Sequence, residues 1–140
     1  MSTRTFALVF GIVFLLAGIS GFIPGVLHPV PADAPPLTVD KGYGLVFGLL
    51  PVNLLHDLVH LLFGVMGIAA FAGLFAPRLY AQIVAISYGL LVVLGLLPAT
   101  NTLFGLVPIY GNDVWLHLAL GVIAAFFGFT SPSPVPATQE

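Results

Sequence analysis

Two short stretches of this 140-residue chain hold the side chains that could do chemistry. His56 and His60 have i, i+4 spacing, which places them on one face of a helix. Asp113 and His117 have the same spacing 57 positions later, and Asp57 flanks the first pair. Imidazole and carboxylate groups are ligands for zinc, copper and iron, so these five residues form a candidate metal site.

The offset of 57 belongs to a longer internal repeat. VFGLLPVNLLHDLVHLLFGVM at 46–66 aligns without a gap with LFGLVPIYGNDVWLHLALGVI at 103–123. A proline, two glycines and a histidine in register are less expected by chance than apolar identities in so apolar a chain. The repeat therefore places two histidines at equivalent positions. The aligned pairs include Pro51 with Pro108, Gly64 with Gly121, and His60 with His117.

A second match, at an offset of 74, aligns 4–24 with 78–98. Together the two matches predict the tandem duplication of a helix hairpin, with a first outer loop that is longer by 17 residues (74 minus 57). Two spans per unit give both copies the same orientation, related by a pseudo-twofold axis along the membrane normal. Because the first helix has an internal counterpart, we interpret it as a retained anchor and not as a signal peptide.

Composition indicates an integral membrane protein. Hydrophobic residues make up 59% of the chain, charged residues 6%, and the mean hydropathy is +1.15. The chain has no cysteine, so disulfides and thiolate ligands are excluded. A net charge of -2 with three basic residues argues against nucleic acid as a partner.

The predicted fold is an all-α, integral membrane four-helix bundle in a single domain, 1–130. Its spans are long enough to cross a hydrocarbon core of about 30 Å. We expect the proline-rich tail, 131–140, to be disordered. The spans lie at about 6–23, 54–76, 79–97 and 114–129, with outer loops at 24–53 and 98–113.

Apolar segments in both outer loops, GYGLVFGLLP and NTLFGLVP, are too short to span. We expect them to be interfacial or shallow re-entrant and to cover the histidines as a lid. Gly64 and Gly121, four residues after His60 and His117, predict a seam between the second and fourth helices.

The positions of the few basic residues predict the orientation of the protein in the membrane. Arg4 and Arg78 precede the first and third spans, whereas Lys41 lies on the other side with Asp33, Asp40 and Asp113. The positive-inside rule therefore places both termini and the short PRLY turn in the cytoplasm. The predicted location is the inner (plasma) membrane, with several passes through the lipid bilayer.

Four interpretations of the polar cluster remain open. The first is a transition metal held by the histidines and Asp113, with Asp57 orienting a ring. The second is haem b with His60 and His117 as axial ligands, non-covalent because the chain has no CxxCH. The third is interhelical hydrogen bonding, Asp113 with His56 or Asp57 with His117. The fourth is a proton or ion path.

His28 lies in a proline-flanked loop, and we interpret it as a solvated histidine. Nucleophile elbows, phosphate loops and Ser/His/Asp spacings are absent from the sequence, and HDLVH lacks the glutamate of HExxH. No enzyme class is therefore indicated.

The run Asn-x2-His-x3-His-x3-Gly at Asn53–Gly64, together with DVWLHLALGVIA at the start of the fourth span, resembles a family of small bacterial four-helix membrane proteins. That family, common in actinobacteria and cyanobacteria, is described as a domain of unknown function. The resemblance covers about Arg4–Phe129 and implies no activity. A looser architectural similarity is to the DoxX-like membrane proteins, some of which are linked to quinone or thiosulfate oxidation.

We therefore expect a non-enzymatic accessory or assembly subunit with a His/Asp cluster at the outer end of its bundle. Its expected partners are lipid and either a larger membrane complex or further copies of the chain. The alternative is a membrane redox protein that binds haem, a metal or a quinone.

Overall fold

The computed structural model describes residues 1–130, so the predicted tail lies outside the described residues. The fold is a four-helix bundle, as the sequence predicted. All four helices, the last together with a π-helical turn, are long and apolar enough to cross a membrane. They are α1 (Thr3–Ser20), α2 (Leu54–Phe71), α3 (Pro77–Leu96) and α4 (Asn112–Ala125), which continues into the turn Phe126–Thr130.

The turn between α2 and α3 comes earlier than the predicted PRLY. After α2 ends, Gly73 adopts a left-handed φ of 87°. Its N–H donates to the Ala70 carbonyl at 3.1 Å, and the Leu74 N–H donates to the Ala69 carbonyl at 3.0 Å. This glycine-terminated helix end leaves 72–76 as the turn. Pro77 then begins α3, where its fixed φ suits the first helical position.

The other helix ends also differ from the predicted spans by a few residues. The Ser2 hydroxyl accepts from the Thr5 N–H at 3.1 Å, so α1 begins at Thr3 and ends before the predicted 6–23 does. The helix α4 begins at Asn112 after Gly111, which has a φ of 65°. Each helix still overlaps its predicted span.

The helices pack as two pairs, α1 along α2 and α3 along α4, with further contact between α1 and α3. Aromatic rings fill the space between them; the Phe6 centroid lies 4.1 Å from Phe10 and 4.8 Å from Phe127. Large apolar side chains on the outside of all four helices are exposed, as expected for surfaces in lipid. They include Ile12 and Leu16 on α1, Leu62 and Val65 on α2, Ile86 and Val93 on α3, and Leu118 and Val122 on α4.

The glycine positions correct one prediction. A Cβ on Gly64 would lie 2.8 Å from the Leu15 backbone nitrogen of α1, and one on Gly121 would lie 3.3 Å from the Tyr88 Cβ of α3. Each glycine thus faces its own hairpin partner. The predicted seam between α2 and α4 is wrong, because these glycines allow close approach within α1–α2 and α3–α4 instead.

Two arginines mark one end of the bundle. The Arg4 Nε donates to the Phe71 carbonyl at 2.8 Å, and the Arg78 Nε donates to the Gly128 carbonyl at 2.9 Å. Each arginine side chain thus donates to a carbonyl near the C-terminal end of a helical segment, where the helix dipole favours a positive charge. We call this the arginine end and the opposite one, which carries 21–53 and 97–111, the loop end.

A small antiparallel sheet at the loop end was not predicted. The turn between its second and third strands contains Phe47 and Gly48, with φ of 54° and 70°. Phe104 and Gly105 have φ of 59° and 86° in the second loop. Both phenylalanines are largely exposed, which fits the predicted interfacial placement. The strands are β1 (Leu27–His28), β2 (Gly44–Val46) and β3 (Leu50–Val52), in the order β1-β2-β3.

Asn53 joins both loops to the start of α2. Its side-chain oxygen accepts from the His56 N–H at 3.0 Å and caps the helix. Its side-chain nitrogen donates to the carbonyls of Val39 and Leu106, both at 2.7 Å. Asn53 is fully buried, so one side chain fixes the first turn of α2 against both loops.

A second link between the loops lies outside the membrane-spanning helices. The Tyr43 hydroxyl donates to the Pro35 carbonyl at 2.9 Å and lies 2.7 Å from the Tyr110 hydroxyl. Tyr110 therefore donates to Tyr43. Partial burial raises the pKa of Tyr110, and this hydrogen bond raises it further, because both favour the neutral hydroxyl.

Candidate metal centre

Three histidines meet at the loop end of the bundle. His56 and His60 lie in the first two turns of α2, and His117 lies in the second turn of α4. One ring nitrogen from each lies within 4.8 Å of the others. The ring centroids of His56 and His60 are 4.5 Å apart, and those of His56 and His117 are 6.0 Å apart. The i, i+4 pair and the repeat-related histidine are thus brought together.

The cluster concentrates unpaired polar atoms. Within 1–130, every buried side-chain nitrogen or oxygen without a hydrogen-bond partner belongs to the five predicted site residues. Such atoms are rare in folded proteins, because each costs about 1–3 kcal/mol of desolvation. These atoms are His56 Nδ1, Asp57 Oδ1, His60 Nδ1, Asp113 Oδ2 and His117 Nδ1.

Neighbouring groups hold the imidazole rings. Asp113 Oδ2 lies 3.4 Å from His117 Nδ1, close enough for an ion pair but outside hydrogen-bond geometry. The Tyr88 ring meets His117 edge to face at 4.6 Å, and the Phe14 ring stacks with His60 at 6.0 Å. The rings are thus positioned by α1 and α3 as well as by their own helices.

His56 lies under both loops. The backbone carbonyl groups of Pro51 and Pro108 interact with its side chain, and these two prolines are equivalent in the internal repeat. The side chain is 3% exposed. The two loop segments therefore cover His56, in agreement with the expected lid.

Among residues 1–130, the converging ligand atoms come from the three histidines, and the two aspartates contact other groups of the cluster and of the bundle. The Asp113 carboxylate contacts His117 of its own helix, so the expected interhelical pair with His56 is not the one formed. The Asp57 carboxylate lies against α1, where a Cβ on Gly21 would collide with it. Asp57 therefore faces α1, and the expected pair with His117 is not formed either. The helix geometry explains this, because Asp57 follows His56 by one residue and points about 100° away from it.

His28 is placed as predicted. It lies on strand β1 with an exposed side chain and is not part of the three-histidine group.

A cavity of ≈ 250 Å³ adjoins the three histidines. Its other walls come from α2, α3 and the second loop. Sequence reasoning missed both the cavity and Tyr88, although Tyr88 aligns with Phe14 at the offset of 74 and both rings contact a repeat-related histidine. The residues from α3 are Ser87, Tyr88, Leu90 and Leu91.

The arrangement suits a transition metal ion. Metal–nitrogen bonds of about 2.0–2.1 Å at tetrahedral angles place the ligand nitrogens about 3.3 Å apart. Nitrogens within 4.8 Å need only small side-chain rotations to reach that spacing. A haem fits less well, because a third imidazole, that of His56, lies 4.5 Å from the His60 ring and 6.0 Å from the His117 ring and takes up space beside both axial ligands.

The fold and the cluster define a small multi-pass helical membrane protein with three clustered histidines, of which His56 and His117 are buried and His60 is half-buried. The family model described as "Domain of unknown function (DUF4383)" matches residues 4–130, and the chain belongs to this family. The resemblance seen in the sequence is therefore confirmed. No curated protein and no solved structure matches the chain, so the similarity to DoxX-like proteins stays a prediction.

Proposed function

We propose that this membrane protein binds a divalent transition metal through His56, His60 and His117. The convergence of one ring nitrogen from each, within 4.8 Å, carries the proposal. Neutral imidazoles suit zinc, copper, iron and nickel. Asp113 would orient His117 through its Nδ1 and leave the other ring nitrogen for the metal.

Two alternatives from the sequence account less well for these contacts. Hydrogen bonding between helices would pair the buried imidazoles, yet Nδ1 of each of the three has no hydrogen-bond partner. Haem ligation would need a slot between His60 and His117, which His56 adjoins. A metal ion needs one converging nitrogen from each ring and no such slot.

Metal analysis and absorption spectroscopy of the detergent-purified protein test the proposal. We expect about one zinc, copper, iron or nickel per chain, or uptake of about one Zn²⁺ by metal-free protein, because buried imidazoles that converge bind such ions. A Soret band would instead indicate haem. Failure to take up any of these ions would contradict the proposal.

The proposal assigns the protein a non-enzymatic role as an accessory or assembly subunit. Its cluster offers ligands for an ion, and the sequence carries no nucleophile motif. Exposed apolar side chains on all four helices supply surface for lipid and for a larger membrane complex or further copies of the chain.

Tandem duplication of a hairpin is part of the proposal. Contacts in the first hairpin recur at matching positions of the second. The offset is 74 for residues of the first and third helices and 57 for residues of the second and fourth. Such recurrence supports one hairpin unit used twice. The Arg4–Phe71 contact corresponds to Arg78–Gly128. The Phe14–His60 contact corresponds to Tyr88–His117.

The orientation we propose has both termini in the cytoplasm and the loop end outside the inner membrane, because the two arginines lie at one end. The chain has no cysteine, so single cysteines can be introduced and labelled. Cysteines at Thr3 and Gln139 should react only from the cytoplasm, and one at Thr38 only from outside. Labelling of positions 3 and 139 from opposite sides would refute the proposed orientation.

A further inference from the structure

The cavity beside the histidines is larger than a metal ion needs. Its volume is ≈ 250 Å³, whereas one water molecule has a share of about 30 Å³ in the liquid. A bound ion would therefore leave room for a second molecule. That molecule would be smaller than most drug-sized ligands, whose pockets measure about 300–1,000 Å³.

Apart from the histidines, the wall is mainly apolar. Phe63 of α2, Leu91 of α3 and Ile109 of the second loop line it, and Tyr88 adds a second aromatic ring. An apolar wall with a few converging polar groups is typical of sites for small organic molecules. The wall thus favours an apolar molecule with one polar atom directed at the histidines.

The cavity opens sideways between α2 and α3. Val59 of α2 and Leu90 of α3 both line it, and they are 42% and 57% exposed on the outer surface of the bundle. In a membrane-spanning bundle this surface faces lipid. A molecule dissolved in the bilayer can therefore reach the histidines without crossing the loops at the loop end.

We propose that the cavity binds a small, neutral, aromatic molecule that carries one nitrogen or oxygen donor and enters from the bilayer between α2 and α3. This inference rests on the proposed function in one respect: the donor occupies the position that His56, His60 and His117 leave open on the metal. Three protein ligands with an open fourth position are the usual arrangement where zinc binds an exogenous ligand.

The test uses 4-phenylimidazole, which combines a donor nitrogen with an apolar ring. Its binding to detergent-solubilised protein is measured by equilibrium dialysis, with and without bound Co²⁺. We expect binding to both forms, at least about 10-fold tighter with Co²⁺ because coordination adds to burial of the ring. Imidazole should bind at least about 10-fold more weakly than 4-phenylimidazole, because it lacks the apolar ring.

A matched pair of variants locates the probe. Val59→Trp places a large side chain in the opening, whereas Val65→Trp makes the same change at a lipid-exposed site on α2 that does not line the cavity. We expect Val59→Trp to weaken binding of 4-phenylimidazole at least about 10-fold and Val65→Trp to leave it unchanged. Equal effects of the two variants, or equal affinities for the two imidazoles, would overturn the cavity proposal.

The same samples separate this inference from the metal proposal. If the protein takes up no Co²⁺ or Zn²⁺, the proposed function fails, while binding of the probe to metal-free protein still decides whether the cavity is a ligand site. If Co²⁺ binds but its visible absorption does not change with 4-phenylimidazole, direct coordination is wrong and the metal site stands.

Discussion

Replacing His60 or His117 with alanine is expected to lower the affinity for Zn²⁺ about 100-fold. Each histidine supplies one of three converging ring nitrogens, from α2 and α4 respectively. Zinc held by four protein ligands binds with apparent free energies of about 10–16 kcal/mol, so loss of one ligand removes about 3 kcal/mol, or about 100-fold in affinity. Competition with a zinc-binding dye in detergent measures the change.

His28→Ala is the matched control, because His28 is exposed on β1 outside the cluster. It should leave the zinc affinity unchanged. Circular dichroism and gel filtration should show that the three variants keep the fold, since Nδ1 of His60 and of His117 has no hydrogen-bond partner to lose and the His28 side chain is exposed. If all three variants bind zinc as tightly as the unchanged protein, the three-histidine site is wrong.

The internal repeat explains why the cluster could be predicted from the sequence. The offset of 57 predicts that His60 and His117 lie at the same depth, and i, i+4 spacing adds His56 to the face of His60. The predicted depth follows from the repeat, and the helix face follows from periodicity. The three histidines were therefore identified without knowledge of the packing.

The partners of the helices could not be predicted in the same way. Gly64 and Gly121 indicate that another helix packs closely at these positions, but a small residue does not specify which helix it is. Likewise, the sequence places Asp57 near His117 in depth, whereas its direction depends on the rotation of α2 about its own axis. The structure directs Asp57 to Gly21, the residue that follows α1.

The loops show a further limit of the sequence pattern. Leu27–His28 and Gly44–Val46 pair as strands although 15 residues (29–43) separate them. Strands of two or three residues are too short for alternation to reveal them. The helix end at Gly73, by contrast, could have been placed from the sequence, since a glycine followed by a proline four residues later is a common stop and start signal.

Replacing Asn53 with alanine is expected to destabilise the protein by about 3 kcal/mol. The change removes the cap of α2, worth about 1 kcal/mol. It also removes two donors, which leaves the Val39 and Leu106 carbonyls without this partner at about 1 kcal/mol or more each. Thermal unfolding in detergent should show a decrease in Tm of roughly 10 °C for a domain of this size.

Asn53→Asp separates the cap from the two links to the loops. An aspartate keeps the oxygen that accepts from the His56 N–H, but it directs a carboxylate at the two carbonyls that now accept hydrogen bonds. It should therefore destabilise at least as much as alanine. Asn112→Ala is the control, because Asn112 is exposed and donates to the Leu49 carbonyl at 3.3 Å, so its loss should change stability by no more than about 0.5 kcal/mol. A fully stable Asn53→Asp variant would mean that Asn53 acts only as a helix cap and that the loops are held over the histidines by other contacts.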